Sequence, residues 1–529
     1  MERFPKNVSD SRGSNDDGYR NPSIQLFGRR FSKNMQPMNA LAELLLVAAS
    51  PKHILLDSND ITATTFFPNT AGLRQLREEA KGLAYCPKAR LNLKLFSFLG
   101  ASSLSTRHQV HQEHARELRR MLAERIDTPS GVDASKVLQT LSAVFLGFLG
   151  NGAGRTWCAQ TFLPFHTSLL CCESIWGKSR AGGLRRDQWD EAVRQYFGFS
   201  KHDIFDRSGE SLYLQLCSAF SRTREDVDAW LNDECDLRSA LRDDEVEPET
   251  LAATLSASMR KFLDSAPRGL APVLDFVDTG VDKETSEASD GPEEDPRRVE
   301  CGWVPAESWR EGYLFAVEVN RLLSAKLDLM EKLDLFEVAC SLQIMRTLIR
   351  QACRHSHIEP LRLLLCDAGG MARKSKMLSS RSFQEVVKVL KLAIRTPDMM
   401  NEVHALIQRE GLSAEEDAAV ARIYREADAY GCGLYRKIGK SLGLIVPPRG
   451  RFVKATLNER LLRCLVLTLV PEKRATLSSF KKRIEAHHGF VFDSTEGEGD
   501  NAWLERMLEA AGMLVRLSDA CSLVLNPFA

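Results

Sequence analysis

Residues 457–528 read LNERLLRCLVLTLVPEKRATLSSFKKRIEAHHGFVFDSTEGEGDNAWLERMLEAAGMLVRLSDACSLVLNPF. Three apolar-periodic stretches follow one another, each with its own stop. LNERLLRCLVLTLV runs into Pro471, which cannot continue a helix. TLSSFKKRIEAHHG opens on Ser or Thr, whose hydroxyl can accept from a free first-turn amide, and stops at Gly489. DNAWLERMLEAAG ends at Gly512. The last part, MLVRL, SDA, CSLVL, reads as two short strands around a tight turn.

Helix, helix, helix, hairpin is the order of a winged helix, and this end of the chain resembles one over roughly 70 residues by element order alone. The third helix of such a domain often enters the major groove. Here it carries Glu505 and Glu509 and only Arg506, which suits phosphate poorly. The positive charge sits earlier. Between Gly431 and Phe490 thirteen Lys and Arg face only Glu459, Glu472 and Glu485. YRKIGKSLGLIVPPRGRFVK reads as a loop carrying part of that charge. The residues expected to touch nucleic-acid phosphates are Arg449, Arg451, Lys454, Lys473, Arg474, Lys481, Lys482 and Arg483.

That local charge stands out because the 529-residue chain has 71 basic and 71 acidic residues and no net charge. A global basic field is thereby excluded. The length predicts more than one domain. Thirteen cysteines are scattered through apolar runs with no CxxC pair, which reads as reduced, buried thiols and a cytoplasmic protein. The N-terminus lacks the apolar core of a signal peptide, and no apolar run reaches membrane-spanning length.

The expected class is mainly α: a multidomain helical protein with a C-terminal winged-helix-like (α+β) domain. Residues 1–22 read as a disordered tail, 23–280 as an N-terminal helical domain and 281–300 as an acidic linker. Residues 301–430 read as a central helical domain and 431–529 as a basic loop plus the winged-helix-like part. Strand signals are thin before the C-terminal hairpin. Pro305 fits the first turn of a helix, and Leu335, Val338, Leu342, Met345 and Ile349 form the most regular apolar stripe. From Glu225 to Glu300, 22 acidic residues face 8 basic ones. This acidic segment can dock on the basic C-terminal face and mask it.

Catalytic signatures are weak. GFLGNGAGRTW, Gly147–Trp157, is glycine-rich but puts three residues between Gly150 and Gly154, and Arg155 where a phosphate loop needs lysine. It reads as a turn between helices, with Trp157 and Phe162 as core residues and Arg155 as a possible anion contact. His108, His111 and His114 lie at three-residue spacing, so the outer two are about 120° apart around a helix, a solvated face rather than a zinc site. His355, His357, His487 and His488 read as surface residues near helix ends. His202, Asp203, Asp206, Arg207 and Glu210 read as a polar loop capping the next helix. No metal and no cofactor is expected.

Three stretches, PSIQLFGRRFSKN with LAELLLVAASPK, GNGAGRTWCAQTFLPF, and GWVPAESWREGYLFAVEVNRLL, resemble the large accessory proteins of bacterial antiviral defence clusters, the methylation-associated systems among them. The resemblance implies a role beside partner proteins such as ATPases, nucleases or methyltransferases. The leading expectation is a non-catalytic component that binds DNA or RNA backbone or scaffolds other proteins of the same system. Two alternatives stay open: an interaction hub that never touches nucleic acid, and an enzyme with a dispersed site near 150–155 and 202–210.

Overall fold

The computed structural model describes residues 2–8, 21–29, 35, 37–57, 59–87, 116, 120, 123–124, 131, 133–136, 166–167, 170, 208–265, 298–358, 364–367, 373–409, 416–447, 453–492, 501–518 and 521–529. Within them helices dominate. The first part holds β1 (Arg3–Phe4), α1 (Pro22–Phe27), α2 (Pro37–Ala49), β2 (Lys52–Leu55), β3 (Ile61–Ala63), α3 (Thr70–Glu78) and β4 (Gly82–Tyr85). Then come α4 (Ser208–Phe220), α5 (Arg224–Asp233), α6 (Cys235–Arg238) and α7 (Pro248–Leu263). The middle holds β5 (Val299–Glu300), β6 (Val304–Pro305), α8 (Trp309–Ser324), α9 (Leu329–His355), β7 (Leu364–Cys366), α10 (Arg373–Ala393), α11 (Pro397–Arg409) and α12 (Glu416–Asp428). After a π-helical turn at Ala429–Gly433 come α13 (Leu434–Ser441), β8 (Ile445–Val446) and β9 (Lys454–Ala455). The chain closes with α14 (Glu459–Leu469), β10 (Arg474–Thr476), α15 (Leu477–His488), β11 (Phe490–Phe492), α16 (Asn501–Ala510), β12 (Leu514–Ser518) and β13 (Cys521–Leu525).

Helix α4 is buried at every position, because α2 and α8 pack on it from different sides. Glycine makes both approaches possible. A Cβ on Gly209 would stand 2.3 Å from the Leu44 amide nitrogen, and one on Gly312 would stand 2.2 Å from the Gln215 carbonyl oxygen. Helix axes this close exclude even a methyl group. Helix α9 carries the predicted stripe, and Leu335, Val338, Leu342, Met345 and Ile349 are all buried. Burial continues round to Gln343, Arg346, Thr347 and Arg350, so α9 is a central helix and not a one-faced one.

One apolar cluster runs from Phe4 through α2, α4, α8 and α9 to Val524. The segments assigned to separate regions by sequence therefore share a core. Ser23 Oγ donates to the Ala427 carbonyl at 2.7 Å, tying α1 to the end of α12. All the buried free cysteines, such as Cys340 and Cys464, sit in this core among the described residues.

Several expectations need correction. Strands are not confined to the end. Strands β3, β2, β4 and β5 form an antiparallel sheet, and β11, β7, β9 and β8 a mixed one. These strands are two to four residues long, too short for a period of two to show, and apart from the local β2–β3 and β8–β9 pairs their partners lie far away in sequence. The N-terminal tail is not wholly unstructured: Arg3 and Phe4 pair with Pro305 and Val304, and Phe4 is buried. Pro305 is accordingly in a strand, not a first helical turn. The end of the acidic linker, Val299–Glu300, pairs with Tyr85 and Ala84. The basic stretch read as a loop begins as helix α13, because Leu434, Tyr435 and Ile438 supply a buried face.

Lys52 is wholly buried just after α2. Its ammonium donates to the carbonyls of Val47 (3.1 Å), Ala48 (2.7 Å) and Ser50 (2.6 Å). It satisfies the acceptors that a helix end leaves open and sits at the negative end of the helix dipole. Burial pulls its pKa down to about 7.

Candidate nucleic-acid interface

The C-terminal elements form as their signals require. Asn458 Oδ1 accepts from the Leu461 amide at 2.8 Å and starts α14. Thr476 Oγ1 accepts from the Ser479 amide at 3.1 Å and starts α15. Gly489, at φ 69°, closes α15 in the left-handed region. Strands β12 and β13 form the expected hairpin, and β10 joins it to give the antiparallel order β10, β13, β12. The strand β10 has no forewarning in the sequence; Arg474–Thr476 is three residues and reads as part of the helix start.

The structure divides the predicted phosphate contacts. Lys473, Arg474 and Lys482 are exposed, and none has an ion-pair partner among the described residues. Lys481 lies 5.8 Å over the Phe492 ring. Arg483 turns inward instead: it is buried and donates from Nη1 to the Leu469 carbonyl at 3.0 Å, with Glu472 at 3.5 Å. Lys454 forms an ion pair with the buried Asp367. Charge counted along the sequence is also partly neutralised, since Arg460 pairs with Asp334 at 2.7 Å and Glu337 at 3.0 Å, and Arg463 pairs with Glu331. Arg449, Arg451 and Arg155 lie outside the described residues, as do Gly147–Trp157, Phe162, His108, His111, His114, His202, Asp203, Asp206 and Arg207.

The inner side of α15 is fixed by a polar cluster that sequence reasoning does not find. His487 and His488 are buried, not at the surface. His487 Nδ1 donates to Glu318 Oε1 at 2.8 Å. Arg346, also buried, grips both Glu318 oxygens at 2.6 and 3.0 Å and donates to Gln343 Oε1. Gln343 Nε2 donates to Gln215 Oε1 at 2.7 Å, carrying the network into α4. Arg346 and Arg350 further donate to the His487 and Ala486 carbonyls at the end of α15. A signal for it does exist: Leu477, Phe480, Ile484, His487 and His488 fall on one helical face.

Burial alone would raise the Glu318 pKa, but Arg346 and the two histidines bring it well below the usual carboxylate range. Burial lowers His487 against the pull of Glu318, and lowers His488 to about 3. Both imidazoles are therefore neutral at physiological pH. Neither ring nitrogen of His488 has a hydrogen bond among the described residues.

The other polar candidates resolve structurally. Glu210 is buried in α4 and accepts from the Tyr85 hydroxyl at 2.8 Å. His355 pairs with Thr396 Oγ1 at 3.0 Å, and His357 is exposed at φ 52°. Of the acidic stretch, α6 packs against α15, while residues 266–297 lie outside the described residues. Among the described residues no group of three or more His, Cys, Asp or Glu could hold a metal ion, and no helix is long and apolar enough to cross a membrane.

No protein-family model, curated protein or solved structure matches the chain.

Proposed function

We propose that this protein is a non-catalytic nucleic-acid-binding or scaffolding component of a multiprotein system, in the antiphage setting implied by its resemblance to defence accessory proteins. On this reading the segment from α14 to β13 is a winged-helix-like module fused to the helical core. The observation that carries the proposal is the exposure of Lys473, Arg474 and Lys482 without ion-pair partners among the described residues. They stand on the turn before β10, on β10 itself and on α15, not on the third helix. Binding would then rest on phosphate contacts and counterion release rather than on base reading.

The test is anisotropy titration of full-length protein with duplex and single-stranded DNA and RNA over a range of salt. Replacing Lys473, Arg474 and Lys482 together by Glu is expected to weaken binding and flatten the salt dependence, by about 0.9 in slope for each duplex phosphate no longer neutralised. Unchanged binding rejects this surface.

A second reading, a protein-docking module, is favoured by Val515 and Leu517 on β12, which are 42% and 63% exposed. Its sign is a partner retained in high salt by a protein that binds no nucleic acid.

A further inference from the structure

A cleft of about 520 Å³ opens where the N-terminal strand β1 meets α3, the turn after α4 and the turn before α8. Its charged lining comprises Arg3, Lys6, Arg77 and Arg222 against Glu2 and Glu78. The volume falls in the range of small-molecule sites.

The cations differ in how they are held. Arg3 donates to Gln25 Oε1 at 3.1 Å and lies 4.3 Å over the Trp303 ring. Arg77 is shared between Asp226 at 3.3 Å and Glu78 at 3.2 Å. Lys6 is exposed, with no ion pair among the described residues. Arg222 is the unusual one. Its guanidinium lies 5.2 Å over the Trp309 ring, and Arg310 lies 5.8 Å from the same ring. Neither arginine has an ion pair among the described residues, and the Nε of each is shut from solvent without a hydrogen bond.

Of the five donors of a guanidinium, the Nε of each of these half-buried arginines is withdrawn from water without an acceptor, which is costly. The two arginines flank one indole here. Burial, and then the charge of Arg77, pull the Arg222 pKa below its usual value; Arg310 adds to this, and Asp226 and the cleft's own Glu2 oppose it without cancelling it. The positive potential at Arg222 is thus only partly compensated from within the protein. An oxyanion in the cleft would supply the missing acceptors to a planar, forked donor. Glu2 and Glu78 in the lining disfavour a long polyanion and leave the arginines to a compact one.

We infer that this cleft is a binding site for the phosphate group of a small molecule, with Arg222 as the principal contact and Lys6 and Arg77 beside it. The phosphate can belong to a free inorganic anion or to a nucleotide-sized ligand. The site shares no residue with Lys473, Arg474 and Lys482, so it goes beyond the function proposed above and fails or stands separately.

The experiment is calorimetric titration of the full chain at low ionic strength with pyrophosphate and with adenosine 5′-monophosphate. Saturable binding of either, weakened roughly tenfold or more in Arg222→Gln, is the expected result. Lys6→Ala, at an exposed side chain outside the core, should weaken binding by a smaller factor and covers the case in which the first variant fails to fold. Tighter binding of the nucleotide identifies a nucleotide-sized ligand; equal binding identifies the inorganic anion. The inference is overturned if neither probe binds saturably, if only an oligonucleotide binds, or if folded Arg222→Gln and Lys6→Ala bind as wild type does.

Discussion

His487 donates to Glu318 at 2.8 Å across 169 residues of sequence, so the helix that holds Lys482 outward is fastened inward to the centre of the core. Glu318 accepts from His487 and from both Nη atoms of Arg346, and all three residues are buried. Its charge is what makes a buried Arg346 tolerable. Glu318→Gln keeps the shape and removes the charge. It should destabilise the protein by about 3–5 kcal/mol in urea unfolding, because an arginine is left buried without its counterion.

The same cluster sets a pH dependence. His487 and His488 have folded-state pKa values below the unfolded value, so the unfolded chain binds more protons as pH falls below the ordinary histidine range. Their contribution is fully present above that range and is lost as pH falls toward the His488 value of about 3. Glu318, depressed in the folded state, adds a loss in the same direction once pH drops below the ordinary carboxylate range. Urea midpoints should therefore fall from neutral pH into acid. His488→Phe should flatten the upper part of that fall, between about pH 6.5 and 5, and an unchanged profile would count against the assignment.

Much of this architecture is legible in local signals, and the rest is not for definite reasons. Helices α14, α15 and α16 carry their own end signals, so Pro471, Thr476, Gly489 and Gly512 mark ends that the structure reproduces. Strand β5 carries no such mark: Val299–Glu300 gains its pairing only when Tyr85 and Ala84 are brought beside it. The same holds for the candidate surface. The sequence shows that Lys482 and Arg483 are basic, but it cannot show that Leu469 offers a carbonyl to the second and nothing to the first. The cleft at Arg222 is assembled from β1, α3 and the turn after α4, which no local motif connects.

Gly312 tests the close approach of α8 to α4. A methyl group there meets the Gln215 carbonyl oxygen at 2.2 Å and its carbon at 2.6 Å. Backbone on both sides leaves no flexible neighbour to yield, so Gly312→Ala should cost about 1–3 kcal/mol or more despite alanine's higher helix propensity. Thermal unfolding measures it. A stabilised variant would show that the two helices are farther apart.

Lys52 tests the capping of α2 by a buried ammonium. At about pH 6 the side chain carries its three donors to three carbonyls. Lys52→Met fills similar space but leaves those acceptors without a donor, and should cost about 2–4 kcal/mol in urea unfolding at that pH. An apolar replacement with no penalty would mean that these carbonyls find other donors.

Lys482 and Arg483 are neighbours in sequence with opposite surroundings, and they separate a structural role from a binding one. Arg483 is buried and holds the Leu469 carbonyl at the end of α14. Arg483→Ala should therefore lose about 1.5–3 kcal/mol of stability, as expected for a charged group's hydrogen bond, and leave the salt dependence of DNA binding in place once folded. Lys482 is exposed with no ion pair among the described residues, so Lys482→Ala should change stability by less than about 0.5 kcal/mol. If it touches a duplex phosphate, the same change lowers the salt slope by about 0.9. Paired urea and salt titrations of the two variants decide the matter. An unaltered slope in Lys482→Ala removes α15 from the nucleic-acid surface, whatever the full-length protein binds.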